Sequence, residues 1–378
     1  MILTGFFCTA ISNTFSQVLA ICKTYVIINI TTTKLTMSKH IGTTGDSKID
    51  KQLVELADSI QGVDNAELLA EMLTTAVRIS KGKVRTHDFQ MLNRATKELE
   101  STCEMFAPYT DKLKVAIYGS ARTAKEDPAY IQTAEFAKRM TDEGYMTITG
   151  GGPGIMEAGN AGAGIPNSFG LGITLPFEQT HTQLAGDPKF FECNYFFTRK
   201  VTLIRETHAS VACPGGFGTM DEIFEALTLI QTGKCRLHPV VLLDKPGGTY
   251  WSNWNKFVTD GITANGNIDV QDFNLFKITD CIDTAVKEIT DFYSNFHSYR
   301  YVKDKLVIRT QRKLDTAMMK RLNDEFAEIV ESGTIKQYKA FAEESNRPDL
   351  DDKNRIVFNF NKKDFGILRQ LINTINTV

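Results

Sequence analysis

Apolar positions recur at helical spacing between residues 48 and 105: Leu53, Leu56 and Ile60, then Leu68, Leu69, Met72, Leu73 and Val77, and later Phe89, Leu92 and Leu99. Steps of three and four place such side chains on one stripe of a helix, so this region predicts a helical preface. From Lys114 the pattern changes. Short apolar runs, "KVAIYGSAR" (114–122), "YMTIT" (145–149), "FGLGITLP" (169–176), "ASVAC" (209–213) and "HPVVLLD" (238–244), alternate with glycine-rich turns and helical stretches such as "AYIQTAEFAKRMTDEG" (129–144). That alternation predicts βαβ units on a parallel sheet, a Rossmann-like doubly wound α/β fold. Thr249 to Asp260 predicts a further helix, and "FKITDCIDTAVKEITDFY" (276–293) closes the unit with a strand and a helix.

Beyond Ser294, "KLVIRT" (305–310) precedes a helical pattern over 314–333, and "RIVFNF" (355–360) precedes another over 362–376. This predicts a βαβα extension, too thin in core to stand alone and expected to pack on the main sheet or on a partner subunit. The organisation expected is therefore a leader over 1–36, a helical preface over 37–111, a Rossmann-like domain over 112–294 and an extension over 295–378. Residues 1–36 are apolar and Thr-rich, but no positive charge precedes Ile21 and polar residues interrupt the run. They fit neither a secretory signal nor a spanning helix and are expected to be disordered or not native.

Composition narrows the function classes. The 378 residues are 42% hydrophobic and 23% charged, with a formal net charge of −2, which calls for neither a nucleic acid nor an anionic membrane as partner. Seven cysteines stand singly without CxxC pairs, the pattern of reduced thiols in a cytoplasmic protein. The six histidines show no ligand spacing, so no metal is expected.

Three glycine-rich turns end predicted parallel strands: Gly119-Ser120, then Gly150, Gly151 and Gly152 with Gly154, then Gly215 and Gly216 with Gly218. In an open α/β sheet these ends line the ligand crevice, so the three turns are expected to converge. The third runs directly into a helix, offering the N–H groups of Gly216, Gly218, Thr219 and Met220, with the Thr219 hydroxyl, to a phosphate. "GGGPGIM" and "PGGFGTM" lack the GxGxxG order of a dinucleotide site and are not GxxxxGK[ST]. A nucleoside monophosphate suits the crevice better. Glu222 follows Thr219 by one helical turn and Glu225 lies at i+3 from it. An acid there also favours the helix start by itself. Arg199 and Lys200 in "FFTRK" open the helix before the strand at 209–213, where a cation could neutralise phosphate while a carboxylate stabilises positive charge on a sugar.

"TGGGPGIMEAGNAGA", "FFTRK" and "PGGFGTMDEIFEALTLIQTGK" together resemble the LOG (lonely guy) family of cytokinin-activating phosphoribohydrolases, long labelled lysine decarboxylases, whose pattern is PGGxGTxxE with an Arg-Lys pair upstream. The resemblance covers about residues 112–293. It implies hydrolysis of the N-glycosidic bond of a nucleoside 5′-monophosphate, with no cofactor, by a homodimer or larger homo-oligomer. It implies Arg199 and Glu222 as the catalytic pair. It also implies that Lys200, Gly215, Gly216, Gly218, Thr219 and Thr228 line the nucleotide, with Gly150, Gly151, Gly152 and Ser120 nearby. "FFTRK" stands where short plant-type members have a Met-His pair before Arg-Lys, and the preface and extension are additional; "SFGLGITLPFEQ" and the extension look like the longer bacterial branch. The base therefore stays open between cytokinin and general purine or pyrimidine types. The alternative is a non-catalytic nucleotide-binding or carrier protein. A decarboxylase would need pyridoxal phosphate on a Schiff-base lysine, and neither Lys200 nor Lys234 has a cofactor-holding context.

Overall fold

The computed structural model describes residues 43–60, 65–175, 183–339 and 350–378; the expected leader over 1–36 lies outside them. The preface forms three helices, α1 (Ser47–Ser59), α2 (Ala66–Lys81) and α3 (Thr86–Phe106). The α/β unit carries strands β1 (Lys114–Tyr118), β2 (Met146–Thr149), β3 (Ser168–Ile173), β4 (Phe190–Cys193), β5 (Ala209–Ala212), β6 (Val240–Leu243) and β7 (Lys277–Thr279). Its helices are α4 (Pro128–Asp142), α5 (Ile155–Ala163), α6 (Phe196–Glu206), α7 (Phe217–Gln231), α8 (Tyr250–Phe257) and α9 (Ile282–Phe292).

All seven strands pair in parallel in the order β4-β3-β2-β1-β5-β6-β7. This is the Rossmann-like doubly wound sheet. Its central strands are buried throughout because helices cover both faces, which is why they read as continuous apolar runs. Chain order reverses between β1 and β5, and a crevice opens beyond the carboxyl ends of those two strands. One strand was not expected: β4, "FFEC", is a four-residue edge strand after the polar loop, too short and too little buried to carry a pattern. The helix expected over 249–260 is α-helical only to Phe257 and continues as a π-turn over Val258–Ile262.

Helices α4 and α5 meet at Gly162, where a Cβ would overlap the Ala134 carbonyl oxygen. That close backbone approach seats α5, whose N-terminus ends the second glycine turn. The preface is anchored at its far end, where Phe106 stacks on Phe169 of β3 with ring centroids 4.4 Å apart.

The expected βαβα extension is corrected. It is a four-stranded antiparallel sheet in the order β10-β11-β9-β8, built from β8 (Phe296–Val302), β9 (Lys305–Thr310), β10 (Val330–Tyr338) and β11 (Asn354–Phe360), with helices α10 (Thr316–Glu325) and α11 (Phe365–Ile375). Strand β10 buries only Ile335 and carries a register shift beside Gly333 at φ +79, so its sequence presents no alternating core face; its first residues were absorbed into the expected helix over 314–333. Helix α11 is buried on nearly every side and packs against α7, α9 and the 3-10 segment Val270–Leu275, so the extension shares its core with the α/β unit.

Candidate active site

The three glycine turns are stitched together by backbone bonds. Ser120 N–H, after β1, donates to Pro214 O after β5 at 3.2 Å. Ile155 N–H, at the end of the second turn, donates to Ser120 O at 3.0 Å. Gly154 holds φ +66, and a Cβ there would overlap the Ser120 carbonyl oxygen, so a side chain would break this junction. A cleft of about 1060 Å³ opens above the joined turns. Ser120, Gly150, Gly152, Gly215, Gly216, Gly218 and Thr219 line it, together with Arg199 and Glu222.

Helix α7 begins at Phe217, and no side chain caps its start. Met220 N–H is already used, donating to Gly216 O at 3.2 Å, so the expected donor set is corrected: it moves one residue earlier, to the N–H groups before Met220. A Cβ on Gly216 or Gly218 would meet nothing within 4 Å, which leaves the approach to those N–H groups open. Thr219 is buried with its hydroxyl directly under Gly215, and the Tyr250 hydroxyl donates to Gly215 O at 2.6 Å. The turn is therefore held from both sides while its donors stay accessible.

Arg199 projects from the first turns of α6, and its Nη2 lies 3.4 Å from Glu222 Oε1. Glu222 is only 5% exposed. Burial lifts its carboxyl from 4.5 to about 7, against the pull of Arg199 and Lys200, with Glu225 and Asp221 adding to the rise. Burial also raises the Tyr118 phenol, with the Glu222 charge contributing, so this ring at the cleft wall stays protonated. Arg199 Nε is buried without a hydrogen-bond partner, and the Phe196 ring lies 5.9 Å from the guanidinium carbon. A buried acid titrating near neutrality beside an incompletely satisfied arginine is an arrangement suited to stabilising charge that develops only during a reaction.

Three expected contacts fall outside the cleft lining. Lys200 lies 2.6 Å from Asp221 and 2.7 Å from Glu225 and does not line the cleft. Burial works against its charge, but those two carboxylates outweigh it and hold the ammonium above its usual value. Thr228 is six residues further along α7 than Glu222, beyond the lining. Gly151 is buried at φ +69, where a Cβ would press on the Phe190 ring, so it shapes the turn from beneath. Conversely, Tyr118, Arg122, Phe196, Phe217 and Tyr250 line the cleft and were not singled out by sequence. Tyr118 immediately precedes Gly119 at a strand end, a signal that could have marked it; Tyr250 arrives from a distant helix and leaves none.

Among the described residues no group of His, Cys, Asp and Glu could hold a metal ion, and no helix is long and apolar enough to cross a membrane.

Residues 148–289 match the family model described as "Possible lysine decarboxylase". The chain is 27% identical over 185 residues to a probable cytokinin riboside 5′-monophosphate phosphoribohydrolase of Oryza sativa subsp. japonica, covering 47% of this chain and 78% of that protein. Among solved structures it is similar to the molybdenum cofactor carrier protein of Chlamydomonas reinhardtii, at 22% identity over 46% of this chain and 94% of that one, with a TM-score of 0.33. It is similar at 19% identity, over 47% and 94% of the two chains and again with a TM-score of 0.33, to the molybdenum cofactor binding protein of Rippkaea orientalis. Similarity at that level describes neither a ligand nor an activity of this chain. The family match and the phosphoribohydrolase relative support assignment of the chain to the LOG (lonely guy) family.

Proposed function

We propose that the chain hydrolyses the N-glycosidic bond of nucleoside 5′-monophosphates of the AMP or cytokinin type, releasing free base and ribose 5-phosphate. The observation that carries this reading is the buried Arg199–Glu222 pair, 3.4 Å apart, in one cleft with the uncapped start of α7. The 5′-phosphate takes the free N–H groups at that helix end, where the dipole favours an anion. Glu222 stands one turn further along, a spacing on the scale of the ribose between phosphate and glycosidic carbon. In its ionised form it stabilises the oxocarbenium-like ribosyl centre and orients the attacking water, and Arg199 holds the sugar phosphate against it. Glycine turns alone would suit a carrier; a carboxyl raised to about 7 in the same cleft favours chemistry.

The test is to incubate the purified protein with AMP, GMP, IMP, CMP, UMP and isopentenyladenosine monophosphate and to chromatograph for free base. Release from at least one is expected; none from all six would refute the reading.

We also propose a homodimer or larger assembly. Phe217 is 97% exposed and Phe196 52% exposed, and both line the cleft; Phe197 and Val201 on the same helix as Phe196 are exposed too, and a group of exposed apolar side chains is the kind of surface a second subunit covers. Sedimentation velocity is expected to give at least twice the 42.3 kDa chain mass, and a monomer at micromolar concentration would argue against it. We further propose a cytoplasmic location, since the seven isolated cysteines suit a compartment that keeps thiols reduced.

A further inference from the structure

Helix α3 lies outside the segment matched by the family model, yet it reaches the helix that carries Arg199. Glu98, on α3, is 4% exposed. Its Oε1 accepts from Asn194 N–H and from Asn194 Nδ2, each at 2.9 Å, and its Oε2 accepts from the Thr198 hydroxyl at 2.5 Å. Asn194 and Thr198 bracket the first turn of α6, so one carboxyl grips both the approach to that helix and the residue next to Arg199. Four residues on in both helices, Thr102 Oγ1 and Thr202 Oγ1 lie 3.1 Å apart, and Arg205 Nη1 then donates to Cys103 Sγ at 3.1 Å. The two helices thus meet along a polar seam with an i, i+4 repeat. Its other end is fixed to the sheet by the Phe106–Phe169 stack, eight residues and about 12 Å from Glu98.

The Arg199 side chain is packed but has few polar contacts to set its direction. Its Nε is unpartnered, its contact with Glu222 is long at 3.4 Å, and the Phe196 ring sits on the same helix turn. Where the guanidinium stands relative to Glu222 therefore depends on where the first turn of α6 stands. We propose that Glu98 is a positioning residue that sets Arg199 against Glu222, making the preface helix part of the active-site support. Its catalytic consequence rests on the phosphoribohydrolase reading; the positional claim does not.

The experiment reads the Glu222 carboxyl directly, by carbon-13 NMR titration of the full chain labelled at glutamate side-chain carboxyls, the resonance being assigned by its loss in Glu222→Gln. Glu98→Leu removes both acceptors with little change in size; Glu98→Gln would not, because its amide nitrogen can donate to Thr198 Oγ1 while that hydroxyl donates to Tyr195 O, 2.8 Å away. Thr198→Val breaks the same contact from the other side and nearly preserves shape, so the pair decides even if one variant folds poorly. With Arg199 displaced, its charge pulls less on Glu222, and the midpoint is expected to rise by about one pH unit in either variant. Thr102→Val, which cuts the seam one turn away without touching residues 194–198, is expected to leave the midpoint in place. On a nucleotide that the wild type cleaves, kcat is expected to fall about tenfold in Glu98→Leu with KM changed less than twofold. An unmoved midpoint in Glu98→Leu and Thr198→Val, or an equal movement in Thr102→Val, would overturn the proposal. A wild-type protein that cleaves nothing would refute the hydrolase reading alone, because the titration needs no substrate.

Discussion

Glu222→Gln is expected to lower base release from a nucleoside monophosphate by about 10²–10³-fold while leaving KM nearly unchanged, the scale for losing one electrostatic group that acts mainly on the transition state. The pH dependence gives the result its signature. Because the proposed working form is the carboxylate, wild-type kcat/KM is expected to rise with pH through the Glu222 value of about 7, and this limb is expected to disappear in the variant. Stability moves the opposite way. An acid whose folded value is raised above its ordinary 4.5 holds its proton more tightly in the folded state, so its contribution is neutral below 4.5 and unfavourable above about 7. Gln cannot ionise. The stability of Glu222→Gln relative to wild type is therefore expected to increase between those two pH values, by on the order of 3 kcal/mol at most, at about 1.4 kcal/mol per pH unit. Urea unfolding at pH 5 and pH 8 measures this; a difference that shrinks toward high pH would mean that Glu222 is not held neutral by burial.

Gly218→Asp is expected to separate binding from folding. The position is in the first turn of α7, and a Cβ there meets nothing within 4 Å, so the new side chain fits. A carboxylate in the first turn suits the helix dipole, and stability should be unchanged or higher by about 0.3–1 kcal/mol. The same carboxylate would occupy the place proposed for the 5′-phosphate and repel it. Calorimetric binding of AMP is expected to weaken at least about tenfold, close to 1.4 kcal/mol, with the loss carried by KM. Unchanged AMP affinity in a folded variant would move the phosphate site away from this helix end.

The readable parts of the molecule are those written locally in the chain. Gly119, the 150–152 triplet and the 215–218 turn each sit at the carboxyl end of a strand whose apolar run is visible, and topology alone then brings them together. Arg199 and Glu222 follow from the same logic, since each stands in the first turns of a helix beginning beside the crevice. What sequence does not carry is the partner each group chooses. Lys200 is one residue from Arg199, yet the helix turns it toward Asp221 and Glu225. Met220 N–H looks free until the Gly216 carbonyl is found to accept it. Glu98 is one polar residue among many on an amphipathic helix, and its role depends on Asn194 and Thr198, about a hundred residues away. The extension fails for a related reason: β8 and β10 are stabilised by neighbouring strands, and the exposed face of β10 leaves no period for a single sequence to display.

The most direct measurement is a product analysis of the wild-type protein offered AMP, with adenosine in a parallel reaction. The expected result is one equivalent of adenine and one of ribose 5-phosphate for each AMP consumed, with adenosine untouched because it lacks the phosphate that α7 is proposed to bind. AMP that binds in the cleft and is recovered intact after prolonged incubation, together with the other nucleotides of the panel, would contradict hydrolysis and leave a nucleotide carrier.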